Sequence, residues 1–224
     1  MKKRVTLFAG HYGSGKTNLA LNYARELKAR CTCPVAIADL DIVNPYFRTK
    51  DFAERLASEG IELVVSEYAN SNVDFPAMPA KAYSLFADRE LSVVVDVGGD
   101  DRGALALGRY VEDLKKEDNY EMVGVINASR PLTSTPEDTL EALREIEQAS
   151  SLKITALANN TNLGPKTDAD VVISSLSYAE KVSKLMGVPI LMTTCPKQIE
   201  PSLRGKVHNL FPVDILPLYY HLQG

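Results

Sequence analysis

The sequence predicts an α/β fold with one mostly parallel sheet of about seven strands, flanked by helices on both faces. Two observations support this prediction. Short apolar runs alternate along the chain with longer stretches whose apolar residues recur at helical spacing. A glycine-rich segment joins the first apolar run to the first helical stretch, which is typical of βα units that bind phosphate.

The composition is that of a globular chain. Of its 224 residues, 45% are hydrophobic and 24% are charged, which excludes wholly disordered, collagenous and coiled-coil proteins. No repeat or low-complexity linker divides the chain, so we expect a single domain over residues 1–224. The net charge of -4 provides no overall basic field for nucleic acid or an anionic membrane. The sequence has no recognisable signal peptide or spanning segment, so we expect a cytoplasmic protein. We expect neither nucleic acid nor a membrane as its partner.

The cysteine count is odd, and there is no C-x-x-C pair. The three cysteines are Cys31, Cys33 and Cys195. This pattern predicts neither a disulfide framework nor a structural zinc site. We interpret Cys31 and Cys33 as ordinary residues of a loop between a helix and a strand.

Each apolar run predicts a strand and each intervening stretch a helix. The strands are predicted at Val5–Ala9, Pro34–Asp39, Ile61–Ser66, Leu91–Val97, Met122–Asn127, Ile154–Asn159 and Pro189–Thr193. The helices are predicted from Lys16 onward and at Phe52–Ser58, Ala80–Ala87, Ala104–Lys115, Pro136–Ala149 and Ala179–Met186, with Thr135 as an N-cap. A short edge strand is predicted at Val213–Leu216. The polar, proline-broken segment Tyr68–Pro79 predicts a long loop, of a kind that is usually functional or mobile.

A phosphate-binding motif follows the first predicted strand. It reads Gly10-His11-Tyr12-Gly13-Ser14-Gly15-Lys16-Thr17 and matches G-x-x-x-x-G-K-[ST] at every fixed position. The glycines allow the backbone N–H groups to face phosphate oxygens, and the following helix adds its dipole. Lys16 is expected to reach the β- and γ-phosphates and the Thr17 hydroxyl to ligate Mg²⁺. The motif predicts a P-loop NTPase fold, with nucleotide bound by Gly10, Gly13, Ser14, Gly15, Lys16 and Thr17.

Acidic residues end two of the predicted strands. The second strand leads into Asp39-Leu40-Asp41, and the fourth ends in Asp96-Val97-Gly98-Gly99. Because the carboxyl ends of parallel strands converge on one crevice, these acids are expected near the phosphates. Asp41 is predicted to orient the attacking water and to join Thr17 and Asp96 in the metal site, where Asp96 holds a magnesium-bound water. Asp39 and Asp96 also have structural interpretations, as carboxylates that cap a loop or the next helix.

Two later strand ends are candidates for contact with a nucleotide base. The first ends in Asn159 and Asn160, and the second runs into Thr194-Cys195-Pro196-Lys197. An asparagine amide can both donate and accept hydrogen bonds at a base edge. Asparagine is also common at strand ends because it favours turns, so this signal alone is weak.

On these residues the chain resembles the MinD/ParA group of P-loop ATPases, whose relatives include the nitrogenase iron protein. The resemblance spans most of the chain, through the P-loop, Asp39-x-Asp41, the Asp96 to Gly99 segment, and the Asn159-Asn160 and Cys195-Pro196 segments. It implies ATP and Mg²⁺ as cofactors, adenine contact by Asn160 or Asn159, and a nucleotide-dependent homodimer. The group's P-loop carries a second lysine that reaches the partner's phosphate, and this chain has His11 there. No cysteine flanks Asp96, so an iron–sulfur cluster is not predicted.

Three functions are compatible with these residues. The first is a slow ATPase that acts as a nucleotide switch on a partner protein. The second is an ATP-dependent small-molecule kinase or ligase similar to dethiobiotin synthetase, in which Tyr68–Pro79 forms part of an acceptor site. The third is a regulatory module that binds nucleotide without turnover, which the replacement of lysine by His11 favours. Asp41 and Asp96 favour the first function over the third.

Overall fold

The computed structural model describes residues 3–40, 50–65, 85–86, 88–98, 107–117 and 119–215. In these residues the polypeptide alternates between strands and helices. The strands β1 to β8 are Val5–Ala9, Val35–Leu40, Ile61–Val65, Ser92–Val97, Tyr120–Ile126, Ala156–Asn159, Ile190–Pro196 and Leu210–Val213. The α-helices α1 to α7 are Lys16–Arg30, Lys50–Ser58, Val111–Glu117, Pro136–Ser150, Ala169–Ser174, Leu176–Met186 and Glu200–Leu203.

The eight strands form one sheet in the order β3-β2-β4-β1-β5-β6-β7-β8, and every neighbouring pair is parallel. The predicted fold class is therefore confirmed. The described residues contain eight strands rather than about seven, because Leu210–Val213 pairs with the end of β7. The predicted edge strand thus lies a few residues earlier in the chain than expected. Strand β1 lies between β4 and β5, so the segment that follows it emerges near the middle of the sheet.

The sheet is covered on both faces. Strand β1 is buried along its whole length, as expected for a parallel strand between two helical layers. One apolar cluster joins the sheet to helices α3, α4 and α6, and it includes Leu114, Leu143 and Val182. A second cluster joins the other face to α1 and α2, and it includes Leu19 and Leu56. No helix in the described ranges is both long enough and apolar enough to cross a membrane.

Several predicted element bounds differ from the structure. The side chain of Thr135 accepts a hydrogen bond from the N–H of Asp138, which confirms this N-cap. Strand β7 continues to Pro196, so the strand predicted at Pro189–Thr193 ends three residues later than expected. The predicted helix at Ala80–Ala87 is described only at residues 85–86, which are helical. The loop Tyr68–Pro79 lies outside the described residues.

Cys31 and Cys33 form a disulfide, with an S–S distance of 2.02 Å. This corrects the interpretation of the two cysteines as ordinary loop residues. Cys31 ends α1 with an extended backbone, and the tight turn that follows brings the two Cα atoms to 5.3 Å, within the usual range for a disulfide. The odd count leaves Cys195, which is a buried free thiol.

A buried arginine anchors the chain segment that leads into β4. Arg4, only 8% exposed, lies next to β1 and donates hydrogen bonds to four main-chain carbonyls. They belong to Leu85 (3.2 Å), Phe86 (3.0 Å), Asp88 (2.8 Å) and Leu91 (3.0 Å). One guanidinium thus holds the short helical turn at residues 85–86 and the start of β4 against the central strand.

We expect Arg4→Met to lower the free energy of unfolding by about 2 kcal/mol or more, because methionine fills part of the space but leaves buried carbonyls without donors. Urea unfolding followed by circular dichroism measures this. The matched control is Arg89→Met, which removes the same charge from an exposed residue of the same segment. Equal unfolding midpoints for the two variants would contradict the anchoring role of Arg4.

Candidate functional site

The candidate site lies at the carboxyl end of the sheet, where β1 leads into the glycine-rich segment and then α1. The two neighbours of β1 in the sheet are β4 and β5, and both end at this edge because all strands are parallel. In an open α/β sheet this edge is where ligands bind. The P-loop residues 10–17 therefore occupy the position that the sequence predicted for them.

Two glycines of the P-loop are required by close backbone approach. A Cβ on Gly10 would lie 2.4 Å from the carbonyl oxygen of Val125 on β5, and one on Gly15 would lie 2.4 Å from Nδ2 of Asn160. Gly15 also has a φ of 87°, a left-handed conformation that disfavours other residues. Its position as N-cap leaves α1 without a side-chain cap in the described structure. The first-turn N–H groups of α1 are therefore available to an anion.

Lys16 and Ser14 lie within this loop. Lys16 is only 5% exposed, and its Nζ lies 3.5 Å from the carbonyl oxygen of His11, so the side chain folds back over the loop. Ser14 Oγ is buried and has no hydrogen-bond partner in the described part of the chain. A buried hydroxyl without a partner is uncommon in proteins and indicates a place where a ligand completes the bonding.

Two of the three residues predicted to hold a metal, Thr17 and Asp96, meet below the loop. Thr17 Oγ1 donates a 2.6 Å hydrogen bond to Oδ2 of Asp96, which is fully buried at the end of β4. Asp39 on β2 lies in register with Asp96 and is also buried. Among the described residues, no group of three or more histidine, cysteine or acidic side chains can hold a metal. The Thr17 hydroxyl and the Asp96 carboxylate suit Mg²⁺, which binds proteins through few oxygen ligands and completes its shell with water and phosphate.

The two asparagines predicted at the base have different positions. The side chain of Asn160 lies under the P-loop, where Nδ2 donates to the Ser14 carbonyl at 2.6 Å and Oδ1 accepts from Thr194 at 2.5 Å. Asn159 turns its amide toward Ser175 and Thr161, and it is 1% exposed. The structure thus brings Asn160 to the site as a brace of the phosphate loop and does not bring the Asn159 side chain there.

A cavity of about 500 Å³ opens beside the P-loop. One wall is formed by P-loop and α1 residues, namely Tyr12, Gly13, Gly15 and Asn18. The opposite wall is formed by the segments that follow β5 and β6, including Arg130, Asn162, Leu163 and Pro165. The ends of β7 and β8 close the cavity with Cys195, Pro196, Val213 and Ile215. Its volume is in the range of small-molecule and cofactor sites.

Pro196, which the sequence predicted at the nucleotide base, lines the cavity. Cys195 lies beside it, and burial, reinforced by Glu200, raises the pKa of its thiol to about 11. The thiol is protonated near neutral pH, so Cys195 is a wall residue and not a nucleophile. The predicted water-orienting Asp41 and the segment 99–102 lie outside the described residues.

Helix α1 also contacts the chain that follows β8, at the end of the cavity formed by β7 and β8. Asn22 is buried on α1 and bonds to the backbone of Asp214 on both sides, donating from Nδ2 to its carbonyl at 3.0 Å and accepting from its N–H at 2.8 Å. This contact fixes the chain just after β8, next to Ile215. The same helix thus begins at the phosphate loop and carries Asn22, whose two hydrogen bonds to Asp214 form a clamp beside Ile215.

Sequence reasoning missed Tyr12, Arg130 and the residues 162–165 as parts of the cavity wall. The rule that placed Asp96 at the site also applies to Arg130, since it follows the end of β5 by a few residues. Leu163 and Tyr12 are large apolar residues that remain 50% and 60% exposed at the cavity. Nothing in their local sequence pattern distinguishes them from ordinary loop residues.

No protein-family profile matches the chain, and a search of curated proteins finds no relative. Solved structures do match it. The cell division protein FtsY from Thermotoga maritima aligns with a TM-score of 0.60 and 18% identity, over 88% of this chain and 63% of that one. FtsY from Mycoplasma mycoides aligns with a TM-score of 0.54 and 18% identity, over 85% and 59%.

A third match is the signal recognition particle receptor FtsY from Elizabethkingia anophelis, solved in complex with GDP. Its TM-score is 0.52 and its identity is 18%, over 87% of this chain and 57% of that one. The chain therefore spans less than two thirds of the length of these structures. At this identity the likeness concerns the fold. Together with the parallel sheet and the P-loop at its carboxyl edge, it establishes that the chain has the P-loop NTPase fold.

Proposed function

We propose that the chain is a Mg²⁺-dependent ATP-binding protein that hydrolyses ATP slowly to ADP and phosphate and acts as a nucleotide switch on a partner protein. The observation that carries this proposal is the hydrogen bond between Thr17 and Asp96 beneath a glycine cradle. A hydroxyl held by a buried strand-end carboxylate, next to a lysine and a helix N-terminus, suits a magnesium-bound phosphate chain.

The proposed roles differ among the residues of the site. The P-loop backbone and Lys16 bind the phosphates, while Thr17 and Asp96 hold Mg²⁺ directly and through water. The metal, when bound, neutralises charge that develops on the phosphate oxygens. Asp41 orients the attacking water, a role assigned from the resemblance to the MinD/ParA group. Catalysis in such a site consists of positioning and electrostatic stabilisation, which is compatible with slow turnover.

Adenine is favoured over guanine by the chemistry of the cavity wall. Guanine presents an amino group and a ring N–H, which are donors and are best matched by a carboxylate. No aspartate or glutamate lines the cavity among the described residues. The competing candidate is GTP, which the GDP-bound FtsY neighbour favours. The two nucleotides are therefore compared in the binding experiment below.

Exposed apolar side chains near the cavity support a protein partner. Tyr12, Leu132 and Leu163 are 60%, 66% and 50% exposed, and all three belong to loops at this edge of the sheet. Large apolar side chains exposed at one edge of a molecule are candidates for contact with a partner. A second copy of the chain that covers the nucleotide, as the resemblance implies, would bury them. We place the protein in the cytoplasm and propose neither nucleic acid nor a membrane as its partner.

We expect Lys16→Ala to weaken MgATP binding by at least about tenfold, because it removes a charged donor from the phosphates. Isothermal titration calorimetry measures this, with MgGTP titrated in parallel to identify the base. The control is Lys184→Ala, which removes the same charge from an exposed position on α6. Unchanged affinity in the Lys16 variant would contradict the phosphate-cradle assignment, and tighter binding of MgGTP would replace ATP by GTP.

We expect Asp41→Ala to retain MgATP binding and to lose phosphate release, because the P-loop, Lys16, Thr17 and Asp96 still bind the phosphates and Mg²⁺ while the group that orients water is removed. A phosphate-release assay tests hydrolysis. Light scattering with MgATP, with MgADP and without nucleotide then tests whether the trapped state dimerises. Normal phosphate release would contradict the role of Asp41. Binding without hydrolysis in the unmodified protein would instead favour a regulatory module.

A further inference from the structure

The loop that follows β5, residues 127–133, is held rigidly at the mouth of the cavity. Asn127 is fully buried, and its Oδ1 accepts hydrogen bonds from the N–H groups of Ser129 at 2.9 Å and Asn162 at 3.4 Å. Ala128 donates its N–H to Thr161 Oγ1 at 3.1 Å, and Thr133 Oγ1 donates to the Asn127 carbonyl at 3.0 Å. These hydrogen bonds hold the backbone of the loop against the segment that follows β6.

This conformation places Arg130 against the P-loop. A Cβ on Gly13 would lie 3.6 Å from Nε, 3.7 Å from Cδ and 3.8 Å from Cζ of Arg130. Arg130 is exposed, and it lines the same cavity as Gly13 and Gly15. Within the described ranges none of the ion pairs involves Arg130. Its guanidinium thus lies beside the phosphate cradle without a carboxylate partner in that part of the chain.

The P-loop itself provides few charges for a triphosphate. Within residues 10–17, Lys16 is the one lysine or arginine, and His11 Nδ1 lies 3.1 Å from the carbonyl oxygen of Tyr12. The histidine ring is thus engaged with the loop's own backbone. Arginine, in contrast, presents a planar set of donors that matches phosphate oxygens, and it keeps its charge in the site.

We propose that Arg130 binds the phosphate chain of the nucleotide, as a second cation beside Lys16 that is supplied from the opposite wall of the cavity. This inference rests on the proposed function, since it requires a bound nucleotide. Loop 127–133 fixes the backbone of Arg130, while the exposed side chain needs only a small rotation to follow the ligand. The phosphate chain would then be held between the P-loop backbone on one side and the guanidinium on the other.

The test compares Arg130→Gln and Arg130→Lys with the unmodified protein by isothermal titration calorimetry. Each protein is titrated with MgATP and with adenosine, which lacks the phosphates. MgGTP is titrated in parallel because it carries the same triphosphate. We expect Arg130→Gln to lose about 10- to 100-fold in MgATP affinity, the range of one charged hydrogen-bonded contact. Arg130→Lys should recover part of this loss, because it restores the charge without the planar fork. Adenosine affinity should be unchanged in both variants.

The matched control is Arg89→Gln, which makes the same change in net charge at an exposed position before β4, at the opposite edge of the sheet. A loss of MgATP affinity as large in this control, or an equal loss for adenosine, would overturn the role of Arg130. Unchanged MgATP affinity in Arg130→Gln, alongside weakened binding in Lys16→Ala, would overturn it and leave the proposed function intact. Absence of nucleotide binding by the unmodified protein would overturn both.

Discussion

The parallel direction of all eight strands is the constraint on which the site depends. Parallel pairing requires every connection to cross back over the sheet, so each strand ends at the same edge and each loop at that edge meets its neighbours. Gly15 shows this consequence, because a Cβ there would lie 2.4 Å from Nδ2 of Asn160, on a segment that follows another strand. The hydrogen bond from Asn160 to Ser14 joins segments 146 residues apart and makes that approach favourable.

The polar groups around the phosphate loop are bonded to one another. Thr17 is bonded to Asp96, and Asn160 connects Ser14 to Thr194. Such a network holds donors at fixed positions, so a ligand does not have to order them on binding. Ser14 Oγ differs from these groups, because it is buried without a partner in the described structure. Its hydroxyl is therefore a candidate contact for a ligand.

Strand positions, the P-loop and the Thr17–Asp96 pair could be predicted because each depends on local pattern and on the convergence of parallel strands. The contacts of Asn159 and Asn160 could not. Which of two adjacent amides faces the cavity depends on strand register, and the pairing of β6 with β7 shifts between Leu157 and Ala158. The disulfide of Cys31 and Cys33 was not predicted either. It depends on the backbone conformation at the end of α1, which the cysteine count and spacing do not specify.

The clamp between Asn22 and Asp214 has a mechanical consequence. Because α1 begins at the phosphate loop and also bonds to the backbone beside Ile215, one helix connects these two parts of the cavity. Their separation is fixed by the length of a helix, about 1.5 Å per residue. Adjustment of the cavity to a ligand is therefore expected from side chains of the opposite wall, such as Arg130, and not from a change in the distance between the phosphate loop and Ile215.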